Sequence, residues 1–406
     1  MRNVPLRGIL SVGRRLLMLP RKGALLPRVS QTGVSRRARY LALLLVATGA
    51  AVAGTLVLAS GGQESPERDG ERATRAPLAE PDGTQQPRPL TARELARAIT
   101  PAGMVDHMRA LERIAARHGG NRSAGTPGHR ASARYVAARL RAAGFRARLQ
   151  RVPLPSGSRE RATFNVIGEL AAGGRRRPGR GEVVIAGGHL DSVPEGPGIN
   201  DNGSGTAALL ETAEELTAGH VEPQRPLRLA FWGAEEIGLL GSEHFVAGLS
   251  ARARRRVRVY LNLDMVGSGN AGRFFYRGGR GAAGRGVIRR LERLVRRQLA
   301  ASRVPIQETN LDGLSDHAPF AEAGIPVFGL YSGGFEQKTP AHQRAFGGRA
   351  GRPFDPCWHK ACDTLARVDR RSLEQLTDAA AVAIHHLITP RQWRFRASPR
   401  ASRGPA

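Results

Sequence analysis

Apolar positions along this chain follow two rhythms. From Met104 to Arg117 they recur at helical spacing, at Met108, Leu111 and Ile114, and stop at Gly119-Gly120, which predicts a helix with its usual terminator. Ser132–Ala143 repeats the pattern, with Tyr135 and Leu140 ahead of Gly144. Phe145–Leu154 alternates instead, as an edge strand does, and Phe164–Leu170 reads as another strand before the polar turn Gly173–Gly181. Three apolar runs then read as buried strands: Val183–Gly187, Leu227–Trp232 and Val257–Leu263. Helices are expected at Gly203–Leu216, Leu240–Leu249, Gly286–Ala301 and Arg371–Leu387. A Gly-rich hairpin region is expected after Asp264, and a last short strand at Val327–Leu330. Strands alternating with helices predict an α/β fold: one mostly parallel, twisted central sheet of about eight strands, with helices on both faces.

The flanks differ from this core. Residues 41–59 carry no charge and are mostly Leu, Val and Ala, close to the roughly 20 residues a bilayer-spanning helix needs. Residues 1–39 hold Arg14, Arg15, Arg21, Arg28, Arg36, Arg37 and Arg39 and no acid, so the positive-inside rule sends everything after Ser60 outward. Val57-Leu58-Ala59 also resembles a cleavage site, which makes a signal peptide the alternative to an anchor. Either way the domain that follows is expected outside the cytoplasm, membrane-anchored or secreted. The expected organisation is a basic segment at 1–39, an anchor or signal at 40–60 and a solvated linker at 61–90. One domain at 91–390 and a disordered basic tail at 391–406 complete it.

A net charge of +29 and a pI near 11.6 raise nucleic acid or an anionic membrane as partners. The only lysines are Lys22, Lys338 and Lys360, and the arginines run along the whole chain. That is a compositional bias more than a binding face, and no nucleic-acid partner is expected. Cys357 and Cys362 enclose four residues; in an exported chain they are expected to pair, with a free thiol pair as the alternative.

Candidate chemistry lies just past the buried strands. The first runs into His189 and Asp191 and on to Asn200-Asp201-Asn202-Gly203, the second into Glu235-Glu236, the third into Asp264. His359 follows near the end of the domain. The carboxyl ends of parallel strands open onto one crevice, so these groups converge. Two metals a few ångströms apart need a bridging carboxylate, and each then takes a terminal carboxylate and an imidazole. His189, Asp201, Glu236, Asp264 and His359 supply that set. Nitrogen and oxygen donors without thiolate favour zinc, with cobalt or manganese as substitutes. Asp191 is expected to orient His189 by accepting its second N–H. Adjacent carboxylates such as Glu235 and Glu236 diverge, so one can bind metal while the other faces the water as a base.

At these residues the sequence resembles a known family. His189-Leu190-Asp191-Ser192-Val193, Asn200-Asp201-Asn202-Gly203-Ser204-Gly205, Trp232-Gly233-Ala234-Glu235-Glu236, Asn262-Leu263-Asp264-Met265 and Ser315-Asp316-His317 are similar to motifs of the M28 zinc peptidases. So are Gly119-Gly120-Asn121-Arg122 and the stretch from Phe354 through Cys357-Trp358-His359 to Cys362-Asp363-Thr364, and the likeness covers about residues 100–390. The resemblance implies a zinc-exopeptidase, phosphorylase/hydrolase-like fold and two zinc ions. Asp201 would bridge them, His189 and Asp264 completing one and Glu236 and His359 the other. Glu235 would be the general base, and the Asp201–Asn202 peptide would be cis. Two positions depart from the family: Trp358 stands where Tyr is usual, and Leu314 where an Arg often assists the oxyanion. The expected protein is an exported, monomeric dizinc aminopeptidase acting on peptides. Its rivals are an amidohydrolase or one-metal glutaminyl-cyclase-like enzyme and a membrane-tethered binding protein without catalysis.

Overall fold

A computed structural model describes residues 88–390 except 159, 174–180, 280–281 and 311–312. The expected apolar segment at 41–59, most of the linker and the basic tail lie outside the described residues. Among the described residues no helix is long and apolar enough to cross a membrane.

The first helix, α1 (Ala92–Ala98), opens on a capping box between Thr91 and Glu94. α2 (Pro101–Arg117) and α3 (Pro127–Ala142) start several residues before the apolar spacing predicts. The reason is local: Thr100 and Thr126 accept the N–H groups of Gly103 and His129, with proline in the first turn. Then come β1 (Arg146–Pro153), β2 (Ala162–Leu170), β3 (Val183–His189), α4 (Gly205–Ala218), β4 (Leu227–Trp232), α5 (Leu240–Ala247) and α6 (Ala251–Arg256). The remainder is β5 (Val257–Leu263), β6 (Phe274–Gly278), α7 (Ala282–Ala301), β7 (Gln307–Glu308), α8 (His317–Glu322), β8 (Val327–Tyr331), α9 (Pro340–Phe346) and α10 (Arg370–Ile388).

The eight strands form one sheet in the order β1-β2-β4-β3-β5-β8-β6-β7. Its centre, β4-β3-β5-β8, is parallel. The flanks are not: β1–β2, β2–β4 and β6–β8 pair antiparallel, so the sheet is mixed. The Gly-rich stretch after Asp264 also differs from the expected hairpin. Its buried Phe274, Phe275 and Tyr276 form β6, which joins β8 on one side and β7 on the other.

Side-chain alternation along the strands divides the core. Val184, Ala186, Leu229, Phe231, Val259 and Leu261 point to the larger cluster, covered by α2, α3, α4, α7 and α10. Val183, Ile185, Ala230, Trp232, Val257 and Tyr260 point to the other, closed by Phe245 of α5 and Phe320 of α8. β3, β4 and β5 therefore end side by side at His189, Trp232 and Leu263. Close approach there requires glycine: a Cβ on Gly205 would lie 2.5 Å from the Leu263 carbonyl oxygen and 2.4 Å from Asn202 Oδ1.

Candidate metal centre

His189 is the last residue of β3 and Asp264 follows β5 directly. Glu235 and Glu236 follow β4, and Asp201 sits in the turn Ile199–Ser204 before α4, where the Asp201–Asn202 peptide is cis. His359 lies in the loop closed by the Cys357–Cys362 disulfide. Three residues here are non-glycine yet left-handed: Ala234 (φ 63), Met265 (φ 50) and His359 (φ 55). Such backbone persists only where its surroundings impose it, and these positions respectively precede Glu235, follow Asp264 and carry a candidate ligand.

The two oxygens of Asp201 face different partners. His189 Nε2 lies 3.0 Å from Asp201 Oδ1 and 3.3 Å from Asp264 Oδ1. His359 Nε2 lies 3.4 Å from Asp201 Oδ2 and 3.0 Å from Glu236 Oε2. Two ligands about 2.0–2.1 Å from one tetrahedral ion stand roughly 3.3 Å apart, so each imidazole is at ligand spacing from its two carboxylates, and ligand atoms of His189, Asp201 and Glu236 lie within 4.8 Å of one another. Asp264 Oδ1 and Glu236 Oε1 are buried without a hydrogen-bond partner, which is costly unless a cation completes them. The donor set fits a pair of divalent ions.

Glu235 is buried but belongs to neither triad. Its main-chain N–H, and that of Glu236, donate to the carboxylate of Asp191 at 3.1 and 3.4 Å. Asp191 thus holds the Glu235-Glu236 turn. The second nitrogen of His189 meets the Asp191 main-chain carbonyl at 3.1 Å, while the carboxylate is 3.8 Å away. Ring orientation, expected from the side chain, falls to the backbone of the same residue.

Several supports went unassigned in the sequence although they sit inside its motifs. Ser315 Oγ donates to Asp264 Oδ2 at 2.6 Å, and Asn262 Nδ2 donates to Ser315 at 2.7 Å. Tyr260 donates to Asn262 Oδ1 at 2.6 Å, and Trp232 Nε1 to the Tyr260 hydroxyl at 2.7 Å. Asp363, next to Cys362, accepts the N–H groups of Asn200 and Asp201 at 2.7 and 2.9 Å. The disulfide loop therefore carries a candidate ligand, and the residue directly after it clamps Asp201. Arg122 is wholly buried and donates to the carbonyls of Leu190, Pro197 and Gly198. Burial pulls its pKa down to about 10 against the pull of Asp191, Asp363, Asp201 and Glu236.

Trp358 lies nearly flat on His359, ring centroids 3.7 Å apart, and Phe335 packs on Trp358 at 4.8 Å. Leu314 is half-buried. His317 is buried against Tyr276, a packing role. A second group, His107, Glu211 and Glu214, also brings possible ligand atoms together. Arg139 already engages both oxygens of Glu214 at 2.8 and 2.5 Å, so this group reads as an ion pair within the helical layer.

The acids and imidazoles of the site shift one another's titration. Burial disfavours the cation at His359, but Glu236 and Asp201 outweigh it and push the pKa up to about 11. Burial also opposes the cation at His189, where Glu235 and Asp264 prevail and raise it well above the usual imidazole range. Burial lifts Glu236 to about 7 against the pull of His359. A ligating imidazole must be neutral, so metal binding at either histidine works against this shift toward the charged form. Apparent zinc affinity is expected to rise with pH, by about tenfold per unit for each proton displaced. Titration against a competing chelator at about pH 6 and pH 8 checks this; an affinity independent of pH contradicts it.

Residues 165–384 match the family profile described as peptidase family M28. Leupeptin-inactivating enzyme 1 of Streptomyces exfoliatus is 42% identical over 284 residues, 70% of this chain and 61% of that enzyme. An aminopeptidase of Pseudomonas aeruginosa is 41% identical over 225 residues, 54% of this chain and 40% of its own. The match therefore spans less than two thirds of either relative. Among solved structures, the Bacillus subtilis zinc aminopeptidase BSAP aligns with a TM-score of 0.59 at 20% identity, over 71% of this chain and 95% of its own. A glutaminyl cyclase of Porphyromonas gingivalis aligns with a TM-score of 0.55 at 19% identity, over 72% and 99%. At these identities the structural likeness speaks for the fold.

Proposed function

Since the chain belongs to peptidase family M28, we propose that it is an exported dizinc aminopeptidase that removes amino-terminal residues from peptides. One observation carries the reading: the oxygens of Asp201 are divided between two triads, with Glu235 buried beside them and outside both. His189, Asp264 and one oxygen of Asp201 would hold the first zinc; Glu236, His359 and the other oxygen would hold the second. When bound, such a pair supplies a water acidified to a pKa near 7 and a Lewis-acid hold on the scissile carbonyl.

Glu235 then accepts the proton of the attacking water and passes it to the departing amine nitrogen. Burial, reinforced by Glu236, Asp316 and Asp264 and opposed by His189, holds its pKa well above the ordinary carboxylate value, which suits a group that must both take and return a proton. Asp191 fixes Glu235 through its main chain, and the Trp232–Tyr260–Asn262–Ser315 relay fixes Asp264. The surplus of carboxylates around the centre suits a free ammonium group on the substrate. Trp358 and Leu314 replace the family's hydroxyl and guanidinium at the oxyanion, and loss of one such donor typically costs about 10²–10³ in rate. Slow turnover is therefore part of this reading. Export is supported by the apolar segment at 41–59 and by the closed Cys357–Cys362 pair.

The test is turnover of leucine p-nitroanilide by the zinc-loaded chain, set against the same compound with its amino group acetylated. Hydrolysis of the free amine with the acetylated form slower by about two orders of magnitude or more supports the proposal. No hydrolysis of either at full loading favours the tethered binding protein. Cyclisation of an amino-terminal glutamine by a one-zinc protein favours the cyclase-like enzyme.

A further inference from the structure

Several arginines far apart in the sequence meet at one end of the sheet. β3, β4 and β5 run from Val183, Leu227 and Val257 to the metal centre, so their starting ends lie about 20 Å from it. At that end Arg146 and Arg228 share Glu169 at 3.2 and 2.5 Å, and Arg225 and Arg258 share Glu182 at 3.1 and 3.3 Å. Four guanidinium groups thus stand over two carboxylates. Arg146, Arg225, Arg228 and Arg256 also line a cavity of ≈ 390 Å³ with Leu170 and Pro226.

Helices extend the charge. α6 exposes Arg252 and Arg255, and α7, which starts beyond the β6 end paired with Val327, exposes Arg285, Arg289 and Arg293 one turn apart. Among the described residues no carboxylate forms an ion pair with any of these five. Arg290 ties α7 to the pole: burial and the like charges of Arg225, Arg293 and Arg258 lower its pKa.

The chain also joins the domain here. The Leu90 N–H donates to the Gly219 carbonyl at 2.9 Å, and the Leu90 carbonyl meets His385 Nε2 at 3.0 Å. The N–H groups of Gln224 and Arg225 both donate to the Ile388 carbonyl, at 2.7 and 3.1 Å. Leu90 and Arg225 are therefore both held to the last turn of α10, at the starting end of the sheet.

We propose that this arginine pole docks on anionic phospholipid headgroups and turns the metal centre away from the bilayer. Guanidinium groups suit phosphate, and the attraction of each basic group to an anionic leaflet accumulates within a Debye length. None of the pole's named residues is aromatic, so the stacking platform of a single-strand nucleic-acid site is missing. The proposal rests on the anchored form of the exported enzyme, but its test reads arginines and is independent of turnover.

The intact chain is incorporated into phosphatidylcholine vesicles with or without phosphatidylglycerol, treated with phenylglyoxal, and mapped by mass spectrometry. With the anionic lipid, Arg252, Arg255, Arg285, Arg289 and Arg293 are expected to react roughly fivefold more slowly, reverting at about 1 M salt. Arg344 and Arg349, beyond the carboxyl end of β8, are expected to react equally in both. The triple variant Arg285→Glu, Arg289→Glu, Arg293→Glu changes only exposed positions of α7 and is expected to remove the protection of Arg252 and Arg255. Equal reactivity in the two vesicle types overturns the proposal. Protection by a nucleic-acid duplex and not by the anionic lipid overturns it as well and assigns the pole to nucleic acid. A chain that does not stay with the vesicles overturns the anchored form and the docking with it.

Discussion

Glu235→Ala is expected to lower turnover by about 10³-fold or more while leaving both metal equivalents in place, because a positioned general base typically contributes 10²–10⁴. The two halves of that expectation come from different atoms. In the proposed ligand set Glu235 is not a ligand, so its removal takes nothing from the residues that would hold the ions. Its main-chain N–H, which anchors the turn to Asp191 at 3.1 Å, survives the substitution, so Glu236 keeps its place. Zinc content and turnover measured on the same preparation check both halves. Loss of the metals together with activity would mean that base and ligand are exchanged between Glu235 and Glu236.

Asp201→Ala is expected to have the opposite signature. It removes one oxygen from each triad, so both ions should be lost and activity with them. It also leaves His189, Asp264, Glu236 and His359 crowded without the carboxylate that faces both imidazoles. His359→Ala should release only the ion shared with Glu236 and spare the one held by His189 and Asp264. Loss of a single zinc in both variants would show that Asp201 serves one ion alone. Asp363 sharpens the comparison, since Asp363→Asn keeps every ligand but weakens the clamp on the Asn200 and Asp201 N–H groups. Its metal affinity should lie between those of the wild type and Asp201→Ala.

Much of this arrangement was legible in the residues because it depends on strand ends. Apolar runs at Val183, Leu227 and Val257 predicted three parallel strands, and the acids and imidazole after them fall together in the structure for the expected reason. Phe145–Leu154 alternates as an edge strand should, and β1 is indeed the edge. What escaped reading depended on chain reversal or on contacts remote in sequence. The antiparallel placement of β2 beside β4 and of β6 beside β8 leaves no mark on local periodicity. Phe274–Gly278 is too short and too near glycines to announce a strand. The early starts of α2 and α3 were signalled by Thr-Pro pairs, a capping cue that apolar spacing does not register.

The site was divided in the same way. The ligand types could be listed from the strand ends, whereas the division of Asp201 between two imidazoles came only from the family resemblance, because it depends on approaches across long chain separations. Asp191 shows how a residue can be singled out correctly and still work through different atoms, its carboxylate holding the Glu235-Glu236 turn and its carbonyl the ring. Composition also hides placement. Arginines far apart in sequence converge at the starting ends of the strands, which no linear inspection of composition reveals.

The proposed function turns on the placement of Asp201 between two metal ions. It is tested most directly by counting zinc in the intact purified chain, loaded with excess metal and dialysed before elemental analysis. Two zinc ions per chain, falling to none in Asp201→Ala, is the predicted result; one per chain in the wild type at saturation would contradict it.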